Sequence, residues 1–181
     1  MFVHRDYWLP PFVGRKSLVF AVSYSGDTEE ALSAYREAGR RGSWRIAVCS
    51  GGALAKAAKR GRAALCLVPG GQPPRTASGY LFFPLLMALR RLGLLKSDRR
   101  SEEETLAVLE GMAKSLAPVV PSASNRAKQL GQACYGKVPV IYGWDGFAYP
   151  VALRWKTQLN ENAKVPAFAY PLPEMNHNEI M

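Results

Sequence analysis

Histidine and cysteine are both scarce in this sequence, with two and three copies respectively. Two histidines, His4 and His177, without ligand spacing argue against a zinc or manganese centre. Cys49, Cys66 and Cys134 lie far apart, form no C-x-x-C pair and sit in or beside apolar segments. That excludes a disulfide framework and leaves free thiols in a reducing cytoplasm as the expectation. No G-x-G-x-x-G follows a strand-like run, and the Gly-Gly pairs at Gly51 and Gly70 lack the rest of that pattern, so dinucleotide binding is set aside. Long hydrophobic runs are missing too: the longest, "YLFFPLLMAL" from Tyr80, is half the ~20 residues of a membrane helix. The N-terminal "MFVHRDYWLPPF" has no apolar signal-peptide region. A soluble, cytoplasmic chain without membrane contact is expected.

Acidic residues are few, 14 against 24 lysines and arginines, giving a formal charge of +10. A basic surface attracts polyanions, which raises nucleic acid as a partner. The cations are scattered, however, at Arg40, Arg41 and Arg45, then Lys56, Lys59, Arg60 and Arg62, then Arg90, Arg91, Lys96, Arg99 and Arg100. Those positions are helix C-termini and connectors, where cations complement the helix dipole, and no zinc-finger or RNA-recognition pattern accompanies them. Nucleic acid is therefore not expected, while a small anionic substrate would gain from the positive field.

What is present is an alternation. With 48% hydrophobic residues in 181, the chain can bury a core. "SLVFAVS", "WRIAVCS" and "AALCLVP" are short, nearly continuous apolar runs of the kind found in strands buried on both faces of a parallel sheet. "TEEALSAYREAGRRG" and "GALAKAAKRG" between them read as helices that stop at glycine. The loop "PGGQPPRTASG" leads into an apolar helix near Tyr80, and Leu94 to about Glu104 reads as a charged connector. Two helical segments follow, and then the strand-helix-strand pattern restarts with "VPVIYG", "YPVALRWKTQLNENAK" and "PAFAYPLPE". The expected fold is α/β, a doubly wound parallel sheet with flanking helices in two related lobes, the second incomplete. The boundaries expected are 1–93 for the first lobe, 94–135 for the connector and helices, and 136–181 for the start of the second.

The stretch "VFAVSYSGDTEEAL" leaves a buried strand through three hydroxyls, Ser23, Ser25 and Thr28, a glycine and an acidic helix start. A strand's carboxyl end turning into a helix N-terminus presents unpaired N–H groups and the positive end of the helix dipole, which favour a bound anion. Ser23, Ser25 and Thr28 would complete a phosphate cradle, and Gly26 would let the backbone come close to the ligand. A plainer reading has Asp27 or Thr28 capping the helix, with Glu29 and Glu30 in its first turn. Capping leaves Ser23 and Ser25 over, so the phosphate cradle is preferred.

"SYSGDTEE" resembles the sugar-phosphate-binding segment of the sugar isomerase (SIS) fold. "RWKTQLNENAKVPAFAYPLPEMNHNEI" resembles a narrower group, the bifunctional phosphoglucose/phosphomannose isomerases of bacteria and archaea, and the resemblance runs from "RDYWLP" to Met181. An aldose-ketose isomerase needs a base to move a proton between C1 and C2, a group to open the sugar ring, and one to stabilise the enediolate. Glu161 lies at the expected end of the helix from Tyr149, between Asn160 and Asn162, where a surface glutamate is the alternative. The resemblance implies that Glu161 is the proton-transfer base. His177, in polar "EMNHNE", fits a capping segment better than a core histidine. The resemblance implies that it opens the ring, in the site of a neighbouring subunit, so that a homodimer with shared sites is required. Arg75, after "GGQPP", reads either as an exposed loop arginine or, by resemblance, as the group stabilising the enediolate.

The same resemblance implies glucose 6-phosphate, with mannose 6-phosphate, as substrates of a metal-independent and cofactor-independent enzyme of glycolysis and gluconeogenesis. Relatives carry an N-terminal segment with a Gly-Gly-Ser loop and a C-terminal segment with a lysine, so a chain truncated at both ends is expected. Two other readings stand beside it: a non-catalytic SIS module binding a sugar phosphate as a signal, and an inactive remnant.

Overall fold

The computed structural model describes residues 1–96 and 98–179, which fall into two compact units, Met1–Ser97 and Asp98–Met181. In the first unit three strands, β1 (Leu18–Val22), β2 (Trp44–Cys49) and β3 (Ala64–Leu67), pair in parallel in that order. Ala21 lies opposite Ala47, and Val48 opposite Cys66, so the carboxyl ends of all three strands share one edge. Side chains alternate between two covered faces. Ala21, Ala47 and Cys49 pack with Leu32 and Tyr35 of α1 (Glu29–Arg40) and with Leu54, Ala55 and Ala58 of α2 (Gly52–Arg60). Val48, with Val22, Ile46 and Cys66, packs on the other face with Leu81 and Leu85 of α3 (Ser78–Arg91). Cover on both faces is the physical reason the strands read as nearly unbroken apolar runs. All three cysteines are free, Cys49 buried and Cys66 and Cys134 half-buried, and burial pushes the Cys49 thiol above its ordinary range.

Both early helices end in the same way, but not on the same residue type. After α1, Ser43 N–H reaches Ala38 O and Gly42 N–H reaches Gly39 O, with Gly42 left-handed at φ +74°. After α2, Ala63 N–H reaches Ala58 O and Arg62 N–H reaches Lys59 O, and here Arg62 is left-handed at φ +47°. Gly61, the expected stop, has φ −81°, an ordinary backbone for any residue. The paired 6→1 and 5→2 bonds fix the left-handed position one residue past the cap, and in the second helix that residue carries a side chain.

An N-terminal strap is tied across α1. Arg41 donates from Nη1 to Pro10 O at 2.7 Å and from Nη2 to Leu9 O at 3.1 Å, while Glu37 accepts the Leu9 N–H at 2.8 Å and pairs with Arg41. The Leu9 N–H bond, with Arg41, holds the Glu37 carboxyl below its ordinary range.

The second unit begins earlier in helix than the sequence suggests. The expected charged connector is helical from Arg99, because Asp98 accepts Ser101 N–H at 3.3 Å as the cap of α4 (Arg99–Ser115). Arg99–Glu103 and Arg100–Glu104 pairs at i, i+4 then line its exposed first turns. Asn125, fully buried, caps α5 (Arg126–Cys134) and donates to Ala117 O at 3.1 Å. Parallel strands β4 (Val140–Trp144) and β5 (Phe168–Leu172) are joined by α6 (Ala148–Gln158), and α7 (Met175–Asn178) follows β5. Among the described residues no helix is long and apolar enough to cross a membrane.

The left-handed arginine gives a direct test. Arg62→Gly relieves about 1–2 kcal/mol of left-handed strain and returns part of it as unfolded-state entropy. A net gain of about 0.5–1 kcal/mol in urea unfolding is expected, and a loss would contradict the helix-end assignment.

Candidate active site

The carboxyl edge of the first sheet carries three loops: residues 23–28 after β1, 50–51 after β2, and 68–77 after β3. Open α/β sheets bind ligands at such an edge. Ser23, Ser25, Thr28 and Arg75 all stand on these loops.

The three hydroxyls are not equivalent. Ser23 is buried, and its Oγ accepts the Gly26 N–H at 3.1 Å and the Thr28 N–H at 3.4 Å and lies 2.7 Å from Thr28 Oγ1. It organises the loop from inside. Ser25 is exposed and accepts the Asp27 N–H at 3.2 Å, and Thr28 is exposed at the helix start. Thr28 occupies the cap position of α1, yet its side chain makes no capping hydrogen bond. Asp27 does not cap it either: its Oδ1 accepts the Ala53 N–H at 2.8 Å, in the first turn of α2. Of the plainer reading, Thr28 does hold the cap position, without a side-chain bond, while Asp27 does not cap α1. The Asp27 carboxylate serves the neighbouring helix, and the first N–H groups of α1 are left without a side-chain cap, above a first turn that also holds Glu29 and Glu30.

Gly26 is required for a different close approach from the one expected. It is left-handed at φ +78°, and a Cβ there would stand 2.0 Å from Gly51 O. Its neighbour is the backbone of the β2–α2 loop. Gly26 O accepts the Leu54 N–H at 2.8 Å, and a Cβ on left-handed Gly52 would lie 2.4 Å from Ser25 O. The two loops are interlocked through glycines at both contacts. Ser50, passed over in the sequence, completes the edge by donating its hydroxyl to Tyr24 O at 2.6 Å. Its sequence signal is a serine before Gly-Gly at a strand end, the same grammar as Ser25-Gly26.

Arg75 is half-buried in a 3₁₀ turn, Pro74–Thr76, on the loop leaving β3, and so shares the edge with Ser25 and Thr28. Thr76 stiffens that turn by donating to Pro73 O at 2.8 Å.

The other two residues belong to the second unit. Glu161 is exposed in a π-helical turn, Leu159–Ala163, that continues α6 and ends at left-handed Lys164. Because α6 returns from the carboxyl end of β4 to the start of β5, Glu161 stands at the amino edge of that sheet. His177 is exposed in α7, just beyond the carboxyl end of β5. The five residues of β5, about 16 Å of extended chain, separate the two levels. The structure therefore does not bring Glu161 and His177 of one chain together. Glu179, beside His177 in sequence, accepts the Tyr142 hydroxyl at 2.5 Å, and that bond raises the Tyr142 phenol above its ordinary range.

Residues 123–181 match the family model of the bacterial phospho-glucose isomerase C-terminal SIS domain. Over 99% of its length the chain is 44% identical to a bifunctional phosphoglucose/phosphomannose isomerase of Caldicellulosiruptor bescii, and covers 53% of that protein. It is 40% identical to the protein of the same description from Aquifex aeolicus, over 99% of this chain and 52% of the other. Among solved structures, tagatose-6-phosphate ketose/aldose isomerase from Escherichia coli superposes with a TM-score of 0.65 at 15% identity, covering 92% of this chain and 46% of that one. That likeness shows the fold. Along almost its whole length this chain is similar to bifunctional phosphoglucose/phosphomannose isomerases, about half of whose length it spans.

Proposed function

We propose that this chain carries the phosphate-binding and proton-transfer parts of an aldose-ketose isomerase acting on glucose 6-phosphate and mannose 6-phosphate, with fructose 6-phosphate as the shared ketose. The observation that carries this reading is the interlocked 23–28 loop, which offers the exposed hydroxyls of Ser25 and Thr28 beside a helix start that no side chain caps. An anionic phosphate there would gain from the uncapped N–H groups and from the helix dipole. Ser23 supports the cradle from within, holding Gly26 and Thr28 in place.

Proton transfer follows from the substrate's chemistry. In the open-chain aldose, Glu161 as base takes the C2 proton and the carbonyl oxygen at C1 is protonated, giving a cis-enediol. The same carboxyl returns the proton to C1 while O2 gives up its own, leaving the ketose. Charge developing on the enediol oxygens is stabilised by the Arg75 guanidinium. His177 moves a proton between the ring oxygen and O1 in the ring-opening step. No metal or other cofactor enters these steps.

The separation of Glu161 and His177 across β5 supports a site completed by a second copy, with His177 contributed by the neighbouring subunit of a homodimer. The enzyme so assembled acts in the cytoplasm, in glycolysis and gluconeogenesis. The second reading is a non-catalytic module that binds a sugar phosphate as a signal, the formal charge of +10 then suiting a nucleic-acid-associated partner.

Two measurements follow. Conversion of glucose 6-phosphate, and separately mannose 6-phosphate, to fructose 6-phosphate should fall by at least about 10³-fold in Glu161→Gln, within the range for loss of a general base. Inorganic phosphate should still bind that variant. Phosphate binding without turnover in the parent protein would favour the binding module instead. The hydroxyls should separate likewise: Ser25→Ala is expected to weaken phosphate about tenfold with stability unchanged, one lost hydrogen bond's worth. Ser23→Ala is expected to cost about 1 kcal/mol of stability, because the Thr28 N–H and hydroxyl lose their partner while the Gly26 N–H keeps Ser23 O.

A further inference from the structure

Tyr24 lies between the two serines of the cradle, yet nothing in the proton-transfer chemistry needs it. Its ring is buried with Val48, Val68 and Ala77, on the face that α3 covers. A phenylalanine would fill that space as well. What a phenylalanine lacks is the hydroxyl, and the hydroxyl is fully used. It donates to Pro69 O at 2.9 Å and accepts the Gln72 N–H at 3.2 Å. Pro69 and Gln72 bracket the Gly70-Gly71 turn, in which Gly71 is left-handed at φ +87°, and Arg75 follows three residues later. Beyond Arg75, Ala77 is fully buried in the same apolar cluster as the Tyr24 ring.

The backbone of Tyr24 is equally engaged. Its carbonyl accepts both the Ser50 N–H at 2.8 Å and the Ser50 hydroxyl at 2.6 Å. One residue thus touches all three loops of the carboxyl edge: its own, the β2–α2 loop through the carbonyl, and the Arg75 loop through the phenol. The Arg75 loop has glycines at 70 and 71 and prolines at 69, 73 and 74, so between β3 and its 3₁₀ turn little secondary structure fixes its path. A phenol bonded at both sides of the Gly-Gly turn supplies the constraint that the chain itself lacks.

We infer that Tyr24 is a positioning residue whose hydroxyl fixes the Arg75 loop against the phosphate-binding loop and so sets where the guanidinium stands relative to bound substrate. This rests on the isomerase reading for its effect on turnover, but the coupling of the loops stands on the geometry alone. The Tyr24 ring is buried in the apolar cluster and its hydroxyl is bonded to Pro69 and Gln72. Its loss should therefore spare phosphate affinity and act on the step that Arg75 serves.

The test is Tyr24→Phe, followed by amide hydrogen exchange and by kinetics. Without any ligand, the Gln72 amide and those of Gly70, Gly71, Arg75 and Thr76 should exchange about tenfold faster than in the parent, the equivalent of about one net hydrogen bond, while β2 amides are unchanged. Exchange of that loop at the parental rate would overturn the inference, whatever the chain's activity. On glucose 6-phosphate, kcat should fall about tenfold with KM and the inhibition constant of inorganic phosphate within twofold of the parent. A rise in KM and in the phosphate constant at unchanged kcat would also overturn it, by placing Tyr24 in the cradle. A parent that binds phosphate but does not isomerise would remove the isomerase reading, and the exchange result would still decide the role of Tyr24. Tyr24→Leu, which removes the ring as well, should lower the unfolding midpoint. Tyr24→Phe should not lower it by more than the hydroxyl's share.

Discussion

The first unit depends on an approach of two backbones too close for any side chain. Gly26 and Gly51 come together where a Cβ would stand 2.0 Å from a carbonyl oxygen, and Gly52 meets Ser25 O in the same way. The contact ties the loop after β1 to the loop after β2, and the bonds from Leu54 N–H to Gly26 O and from Ala53 N–H to Asp27 seal it. Because Asp27 is committed to α2, α1 begins without a side-chain cap. A helix start left open in this way is not a defect when the loop before it carries exposed hydroxyls, since an anion can complete it. The positive φ of Gly26 and the hydroxyl of Ser23 make one rigid object of residues 23–28.

The second unit obeys a different constraint, that of the parallel crossover. A helix linking parallel strands must return to the starting edge, so the turn after α6 and the turn after β5 face opposite ends of the sheet. Glu161 occupies the first and His177 the second. The homodimer proposed above, in which each chain gives one of the two groups, rests on that placement. The connection between fold and proposed assembly is therefore topological.

Much of this was legible in the residues. The strands β1, β2 and β3 showed as apolar runs because helices pack on both faces of their sheet, α1 showed through its acidic start, and both α1 and α2 showed through basic, glycine-bearing ends. The start of α4 was hidden, since Asp98 and the basic pair and three glutamates after it look alike in a connector and in an exposed, capped helix. The left-handed Arg62 was hidden as well, because Gly61 beside it offered the more familiar stop. In the 23–28 loop the residue types announced an anion site, but types alone cannot say which hydroxyl faces inward. Ser23 and Ser25 differ only in whether the loop closes over them. Tyr24 carried no motif signal, because the partners of its hydroxyl lie 45 and 48 residues away in sequence.

The central claim is that residues 25–31 form the seat of a phosphate group. It is tested most directly by titrating the isotopically labelled protein with inorganic phosphate and following the backbone amide resonances. The account predicts saturable shifts concentrated at Ser25 to Ala31, with smaller ones at the Gly51 and Gln72 loops and none at the far ends of β1 and β2. Shifts confined to the surface arginines of α1, such as Arg36 and Arg40, or no saturable shift at the helix start, would contradict it.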